Sequence, residues 1–364
     1  MAMRKQLKDI CRGFTKNIAL KDLGQHEGQF PIYGASGYIK DVDFYCCDTS
    51  YIGIVKDGSG VGRVDVYPGY SSLLGTMQYI VPNDEVDLQY LKYALTAMDL
   101  GSLYKGAAIP HIYFKEYGKF FVDLPDLETQ KHISASLDTI QQAIDLKRKQ
   151  LEDLDELVKS KFQEMFGDVS MNSKGYTVSN MLDVSYGGGQ YGAASASIEK
   201  DLDRPRYIRI TDIDDFGELN DDYVVSINVS DDNDYLLEYG DFLFARSGAT
   251  VGKTYYYNTN ERQIFAGYLI RFKLNLELVN PCFLFYYTKT DYYSTWVLSQ
   301  QGGAAQPNIN AKKYGSLPVL LPPISSQSTF ADYVNKTNAA KQIIKHEISD
   351  LEELMDSKMD EYFG

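Results

Sequence analysis

The chain carries one segment twice. Gly106-Ala-Ala-Ile-Pro-His-Ile112 lies over Gly303-Ala-Ala-Gln-Pro-Asn-Ile309 at a constant shift of 197 positions, and the register runs without a gap to Phe166-Gly167 over Phe363-Gly364. Lys115 falls on Lys312, Tyr117-Gly118 on Tyr314-Gly315, Leu124-Pro125 on Leu321-Pro322, Gln130 on Gln327 and Ser160-Lys161 on Ser357-Lys358. About a third of the aligned positions are identical, which chance does not produce over a stretch of this length. A period this long is a duplicated domain with its helix, not a solenoid repeat. A chain built as two similar halves usually addresses a target that also has two parts.

The repeat sets the domain plan, and 364 residues, 44% of them apolar, suffice for two cores. Residues 1–126 read as a first mixed α/β domain, 127–168 as a helical segment, 169–323 as a second mixed domain and 324–364 as a second helical segment. In the first domain Tyr51–Val55, Gly62–Tyr67 and Met77–Val81 have strand composition between Gly and Pro punctuation, with a helix over Leu88–Leu95. In the second, Arg206–Ile210, Asp241–Ala245, Lys253–Tyr257 and Tyr268–Phe272 read as strands, and a helix follows Pro281.

From Thr129 to Phe166 no Gly or Pro interrupts a heptad pattern. Leu137, Ile144, Leu151, Val158 and Met165 form one column; Ile140 and Leu154, with Lys147 and Lys161, form the other. The repeat supplies the matching helix, with Val334, Ile348, Met355 and Tyr362, then Ile344 and Leu351, and Lys341 and Lys358 as its polar members. An isolated helix of this kind leaves a sticky seam, so the two are expected to pair antiparallel. The domains would then sit at opposite ends, related by a pseudo-twofold axis. The fold class is α+β.

Tyrosine is the compositional outlier, 30 residues against one Trp, and serves either flat recognition surfaces or strand-rich cores. Cys11, Cys46, Cys47 and Cys282 lack metal or redox spacing, and the start of the chain lacks an apolar leader, so a cytoplasmic protein with buried thiols is expected. The net charge of −14 argues against nonspecific attraction to phosphate, yet it is unevenly spread: Glu199 to Asp241 holds fourteen acids against four bases. Cations elsewhere can still line a local groove.

Arg246-Ser-Gly-Ala-Thr-Val-Gly-Lys253 lacks the spacing of a phosphate-binding loop, and Lys56-Asp-Gly-Ser-Gly-Val-Gly-Arg63 is its counterpart. Each is read as a Gly-rich turn that carries a cation at either end, toward a nucleic-acid backbone or base edge, or as a plain hairpin turn. His111 and Asn308 occupy one position of the repeated Gly-Ala-Ala loop. Both can donate to and accept from a base, and both follow a proline that stiffens the loop. The candidate DNA-binding residues are therefore Lys56, Ser59, Arg63, Lys105, His111, Arg246, Ser247, Thr250, Lys253, Gln306, Asn308 and Lys312. Asn280-Pro-Cys-Phe283 looks like an amino-methyltransferase signature, but Pro281 sits where a helix begins and the repeat partner, Asp87-Leu-Gln-Tyr90, carries no trace of it. No nucleophile–base pair, paired-carboxylate set or metal spacing can be assembled.

The order Gly303-Ala-Ala-Gln-Pro-Asn-Ile309, then Leu317-Pro-Val-Leu-Leu-Pro-Pro323, then Gln327 and a long heptad helix resembles the specificity subunit of type I restriction-modification enzymes. Nearly the whole chain takes part, with Gly106–Ile112, Leu124-Pro125 and Gln130 in the first half, although Ile109 and His111 stand there in place of the usual Gln and Asn. The resemblance implies a noncatalytic chain whose two domains each read one half of a split double-stranded DNA target. Its antiparallel helices, roughly 55 Å long, would set the gap between the halves. It also implies two modification subunits that hold S-adenosylmethionine and methylate adenine N6. Restriction subunits, where present, would use ATP and Mg. No cofactor or metal is expected on this chain. A stand-alone DNA amino-methyltransferase using Asn280–Phe283 and a two-domain protein-binding adaptor are the alternatives.

Overall fold

The computed structural model describes residues 3–103, 110–228, 234–301 and 307–364. The chain divides into two units: Met1–Lys149 with Ile344–Gly364, and Gln150–Ile343. Each unit therefore contains one mixed domain and part of both long helices.

The two domains are built on the same strand plan. In the first unit a four-stranded antiparallel sheet runs in the order Cys11–Phe14, Met77–Pro82, Tyr51–Val55, Val64–Tyr67. In the second the order is Gln190–Tyr191, Leu269–Lys273, Asp241–Ala245, Thr254–Tyr256. The register agrees residue for residue: Ile52 stands between Ile80 and Val66 as Phe242 stands between Phe272 and Tyr256. A smaller sheet in each unit contains a parallel pair, Phe30–Gly34 with Ser72–Leu73 and Arg206–Ile208 with Gln263–Phe265. A two-stranded ribbon also recurs, Met3–Gln6 with Phe121–Leu124 and Thr177–Asn180 with Pro318–Leu321. The strands expected from composition form with slightly shifted ends: the one expected from Gly62 starts at Val64, and the one expected over Arg206–Ile210 stops at Ile208. Gly62 itself belongs to the turn before the strand.

The first long helix spans Leu127–Phe166, two residues earlier than the heptads alone indicate, because the Asp126 carboxylate accepts the Thr129 N–H at 2.9 Å and caps it. Gly167, at φ +74°, ends it in the left-handed conformation that glycine tolerates. The second long helix spans Ile324–Phe363. Each is 40 residues long, about 60 Å at the α-helical rise. Among the described residues no helix is long and apolar enough to cross a membrane.

Inside each unit the helices run antiparallel. In the first unit Leu137 shares a core with Met355, Met359 and Phe363, while nearer the middle of the helix Lys147 pairs with Glu347 at 2.8 Å and Arg148 with Glu352 at 2.6 Å. In the second, Phe162 and Phe166 pack edge-on to Phe330 at 5.4 and 5.5 Å, and Asp155 pairs with Lys341. The expected seam residues Leu137, Ile140, Ile144, Val158 and Val334 are buried. Leu151, Leu154, Ile344, Ile348, Leu351 and Met355 are only half-buried. Phe162 and Phe166, which pack against Phe330, lie off the two heptad columns and escape a heptad count.

Candidate nucleic-acid interface

Two segments far apart in sequence meet in each unit. In the first, the Gly58 N–H donates to the Pro110 carbonyl at 3.2 Å and the Ile112 N–H to the Lys56 carbonyl at 3.0 Å, so Asp57 lies bridged to His111. In the second, the Gly248 N–H donates to the Pro307 carbonyl at 3.1 Å and the Ile309 N–H to the Arg246 carbonyl at 2.8 Å, so Ser247 lies bridged to Asn308. The glycine turn and the proline loop thus form one clamp, made twice with the same backbone bonds. The turn needs glycine at its far end. Gly62 has φ +90° and a Cβ there would lie 2.2 Å from the Gly101 nitrogen; Gly252 has φ +92° and faces the Val297 side chain at 2.9 Å.

The side chains on this shared backbone differ. In the first unit Asp57 accepts from Lys56 Nζ at 2.5 Å and contacts His111 Nδ1 at 2.7 Å, while His111 stacks near Tyr113 and Lys115 lies over that ring at 5.3 Å. In the second unit the Arg246 guanidinium lies over the Tyr191 ring, 4.8 Å from its centroid, and the Ala311 N–H donates to the Tyr191 hydroxyl at 3.2 Å. Thr250 Oγ1 donates to the Ser247 carbonyl at 3.1 Å and so braces the turn. Ser59, Asn308 and Lys312 are exposed. Lys105 and Gln306 lie outside the described residues.

Two expected cations are committed elsewhere. Lys253 pairs with Asp215 at 3.0 Å and donates to the Ile213 carbonyl, and Arg63 leans toward Asp65 at 3.6 Å. They flank the turns as expected, but each already faces a carboxylate. Behind Lys253, burial lowers the Lys289 ammonium to about 8, with Asp214 and Asp215 opposing the shift. Tyr113, Lys115 and Tyr191 are not among the candidates that the sequence offers; the tyrosine surplus is the only signal for the two tyrosines and gives no positions, whereas Lys115 is marked by its repeat partner, the candidate Lys312. Much of that surplus is internal, since Tyr51, Tyr79, Tyr90, Tyr117, Tyr287 and Tyr314 are fully buried.

Part of the acidic stretch forms structural latches. Arg206 pairs with Asp221 at 2.6 Å, Arg209 with Asp212 at 2.7 Å and Arg271 with Asp241 at 3.1 Å, so these carboxylates fix the second domain to itself. Asn280 is a helix cap: its side chain accepts the Cys282 N–H at 2.9 Å with Pro281 at the first helical position, just as Asp87 accepts the Tyr90 N–H. Its backbone N–H donates to Gln327 Oε1 at 2.8 Å, and Gln327 Nε2 donates to the Leu278 and Pro322 carbonyls. Gln130 makes the same three bonds to Asp87, Glu85 and Pro125. The repeated glutamines therefore staple each domain to its long helix. Among the described residues no three His, Cys, Asp or Glu side chains gather as a metal site requires.

The sequence matches the family described as type I restriction modification DNA specificity domain twice, over residues 2–156 and 195–353. The chain belongs to this family. Members of the type I specificity family recognise DNA and do not themselves catalyse. The chain is 23% identical over 325 residues to the type I restriction enzyme MjaVIII specificity subunit of Methanocaldococcus jannaschii, covering 82% of this chain and 75% of that one. Its fold is similar to the type I restriction-modification S subunit from M. genitalium, with TM-score 0.65 and 14% identity over 100% of this chain and 96% of that one. A chain solved in work on complex assembly and conformational transition of the type I system is also similar, with TM-score 0.57 and 15% identity over 100% and 97% of the two chains. Each of the two matched spans holds one clamp and most of the long helix that follows it.

Proposed function

We propose that this chain reads a bipartite duplex, one half-site per domain, through the paired glycine turn and proline loop, and that its long helices set the gap and hold the modification subunits. The observation that carries this reading is the clamp made twice on one backbone with different side chains: Lys56, Asp57 and His111 against Arg246, Ser247 and Asn308. A shared frame with divergent polar tips is what two different half-sites require, since backbone contacts position a protein on DNA and side chains at base edges specify.

The helices offer repeated places for a partner. Leu146 and Leu354 are 67% and 43% exposed in the first unit; Ile343 and Leu157 are 63% and 52% exposed in the second. These are equivalent positions of the repeat with the helices exchanged, so each unit presents the same apolar pair, as two copies of one modification subunit would need. On this reading S-adenosylmethionine is bound by those subunits, and ATP and Mg by restriction subunits where they are present. Partner chains would supply much of the positive surface that a chain of net charge −14 lacks.

The test is methylome sequencing of cells that carry the modification subunits with and without this chain. The expected result is a two-part adenine-methylated motif, with a fixed gap, that vanishes when the chain is absent. A contiguous motif, or methylation independent of the chain, would overturn the reading. Leu146→Asp with Ile343→Asp should release the modification subunits on gel filtration while leaving the chain folded.

A further inference from the structure

We infer that Arg246 reads a guanine in the half-site addressed by the second domain; this rests on the DNA-reading role just proposed for the clamp. Four cations flank the two glycine turns. Lys56, Arg63 and Lys253 face Asp57, Asp65 and Asp215, whereas Arg246 has no carboxylate partner among the described residues. Its Nε is buried without a hydrogen-bond partner, which leaves the two terminal nitrogens as the donors a ligand can meet. The side chain is stacked on Tyr191, and that ring is itself fixed through its hydroxyl by the Ala311 N–H. The main chain of Arg246 is held from both sides, its N–H donating to the Tyr268 carbonyl at 3.0 Å and its carbonyl accepting from Ile309 at 2.8 Å.

A guanidinium set in this way presents parallel donors along one edge. Guanine offers O6 and N7 as two acceptors side by side in the major groove, while adenine pairs its N7 acceptor with an N6 donor and so satisfies only half of the fork. A phosphate could also take both donors, but it tolerates a mobile side chain. The aromatic stack and the two backbone bonds fix the direction of approach, as base reading demands. The equivalent position in the first domain is Lys56, a point charge already held by Asp57, so the requirement falls on one half-site only.

The test uses the assembled complex of this chain with its modification subunits and the split motif that methylome sequencing defines. Binding is measured on duplexes in which each guanine of either half-site is replaced in turn by 7-deazaguanine, which lacks the N7 acceptor. One such replacement in one half-site should weaken binding about tenfold or more. Arg246→Gln should lose about ten- to a hundredfold on the natural duplex and become indifferent to that replacement alone. Arg246→Lys, which keeps the charge but not the planar fork, should retain salt-dependent nonspecific binding and show a weakened guanine preference. If both variants weaken all duplexes equally and keep the sensitivity to 7-deazaguanine, or if the wild-type complex shows no such sensitivity, the inference is overturned. Failure of the wild-type complex to retain any split duplex would instead sink the DNA-reading role beneath it.

Discussion

The two units share a frame and differ in what they bury at its centre. In the second, Arg271 lies opposite Leu243 and Gln190 and pairs with Asp241, the first residue of its strand. In the first, the same places hold Tyr79, opposite Gly53 and Phe14, with Tyr51 as the first residue of its strand. Phe14 stacks on Tyr79 at 4.7 Å, and Tyr51 meets Tyr79 at 4.9 Å. Gly53 makes room, since a Cβ there would come within 2.5 Å of the Tyr67 ring. One strand register thus accepts an aromatic stack or an ionic network. The glutamine staples and the clamp backbone, which satisfy main-chain groups, recur without change. Main-chain hydrogen bonding fixes the frame, and side chains that touch only one another are at liberty to diverge.

The largest effect should come from breaking the ionic centre. Asp241→Ala leaves Arg271 charged and buried, and the expected loss is about 3–5 kcal/mol confined to the second unit. Chemical denaturation gives the size and hydrogen exchange shows which unit opens. A loss near zero would mean that the pair is as replaceable as the tyrosines.

Next come the staples. Gln130→Leu and Gln327→Leu each strand one buried N–H and two carbonyls, for about 2–3 kcal/mol, and the two losses should match. Hydrogen exchange that reports unequal losses would break the equivalence of the units.

A reciprocal exchange at the clamp should act on DNA affinity more modestly. Asp57→Ser frees Lys56 and His111 and should steepen the salt dependence of binding by about one charge. Ser247→Asp places a carboxylate beside Arg246 and should flatten it. Identical salt slopes for both variants and the wild-type complex would remove the clamp from the interface.

The smallest effect concerns pH. Burial raises the Asp241 carboxyl above its ordinary value, with the Glu238 N–H and Arg271 pulling the other way. Between the ordinary and the raised value the native chain therefore holds a proton that the unfolded chain has lost, and stability falls as pH rises through that window. Asp241→Asn should abolish this slope, and urea midpoints across the acid range would show it. A slope that persists in Asp241→Asn would assign it to other carboxylates.

Much of the architecture was legible before any coordinates. The shift between Gly106 and Gly303 locates both long helices, and composition with Gly and Pro punctuation locates the seven strands named above to within two residues, but not the edge strands such as Cys11–Phe14 and Gln190–Tyr191. The glycine turns and the proline loops were each singled out because they repeat. That they touch was not legible, because the residues that join them, such as Gly58 and Pro110, are linked only by backbone bonds that leave no mark on side-chain identity. For the same reason Lys253 read as an available cation, since its partner Asp215 lies in a separate acidic stretch. Tyr191 was one tyrosine among 30 until the fold set it under Arg246.

Local chemistry determined the long helices, their caps and the principal strands, because periodicity, capping and turn residues act within a few positions along the chain. Tertiary structure alone decided which charges are spent on the protein and which remain to meet a ligand. Coulomb attraction and aromatic stacking depend on distance in space, and the fold brings Asp57 to His111 and Asp215 to Lys253 but leaves Arg246 with a ring and, among the described residues, no acid.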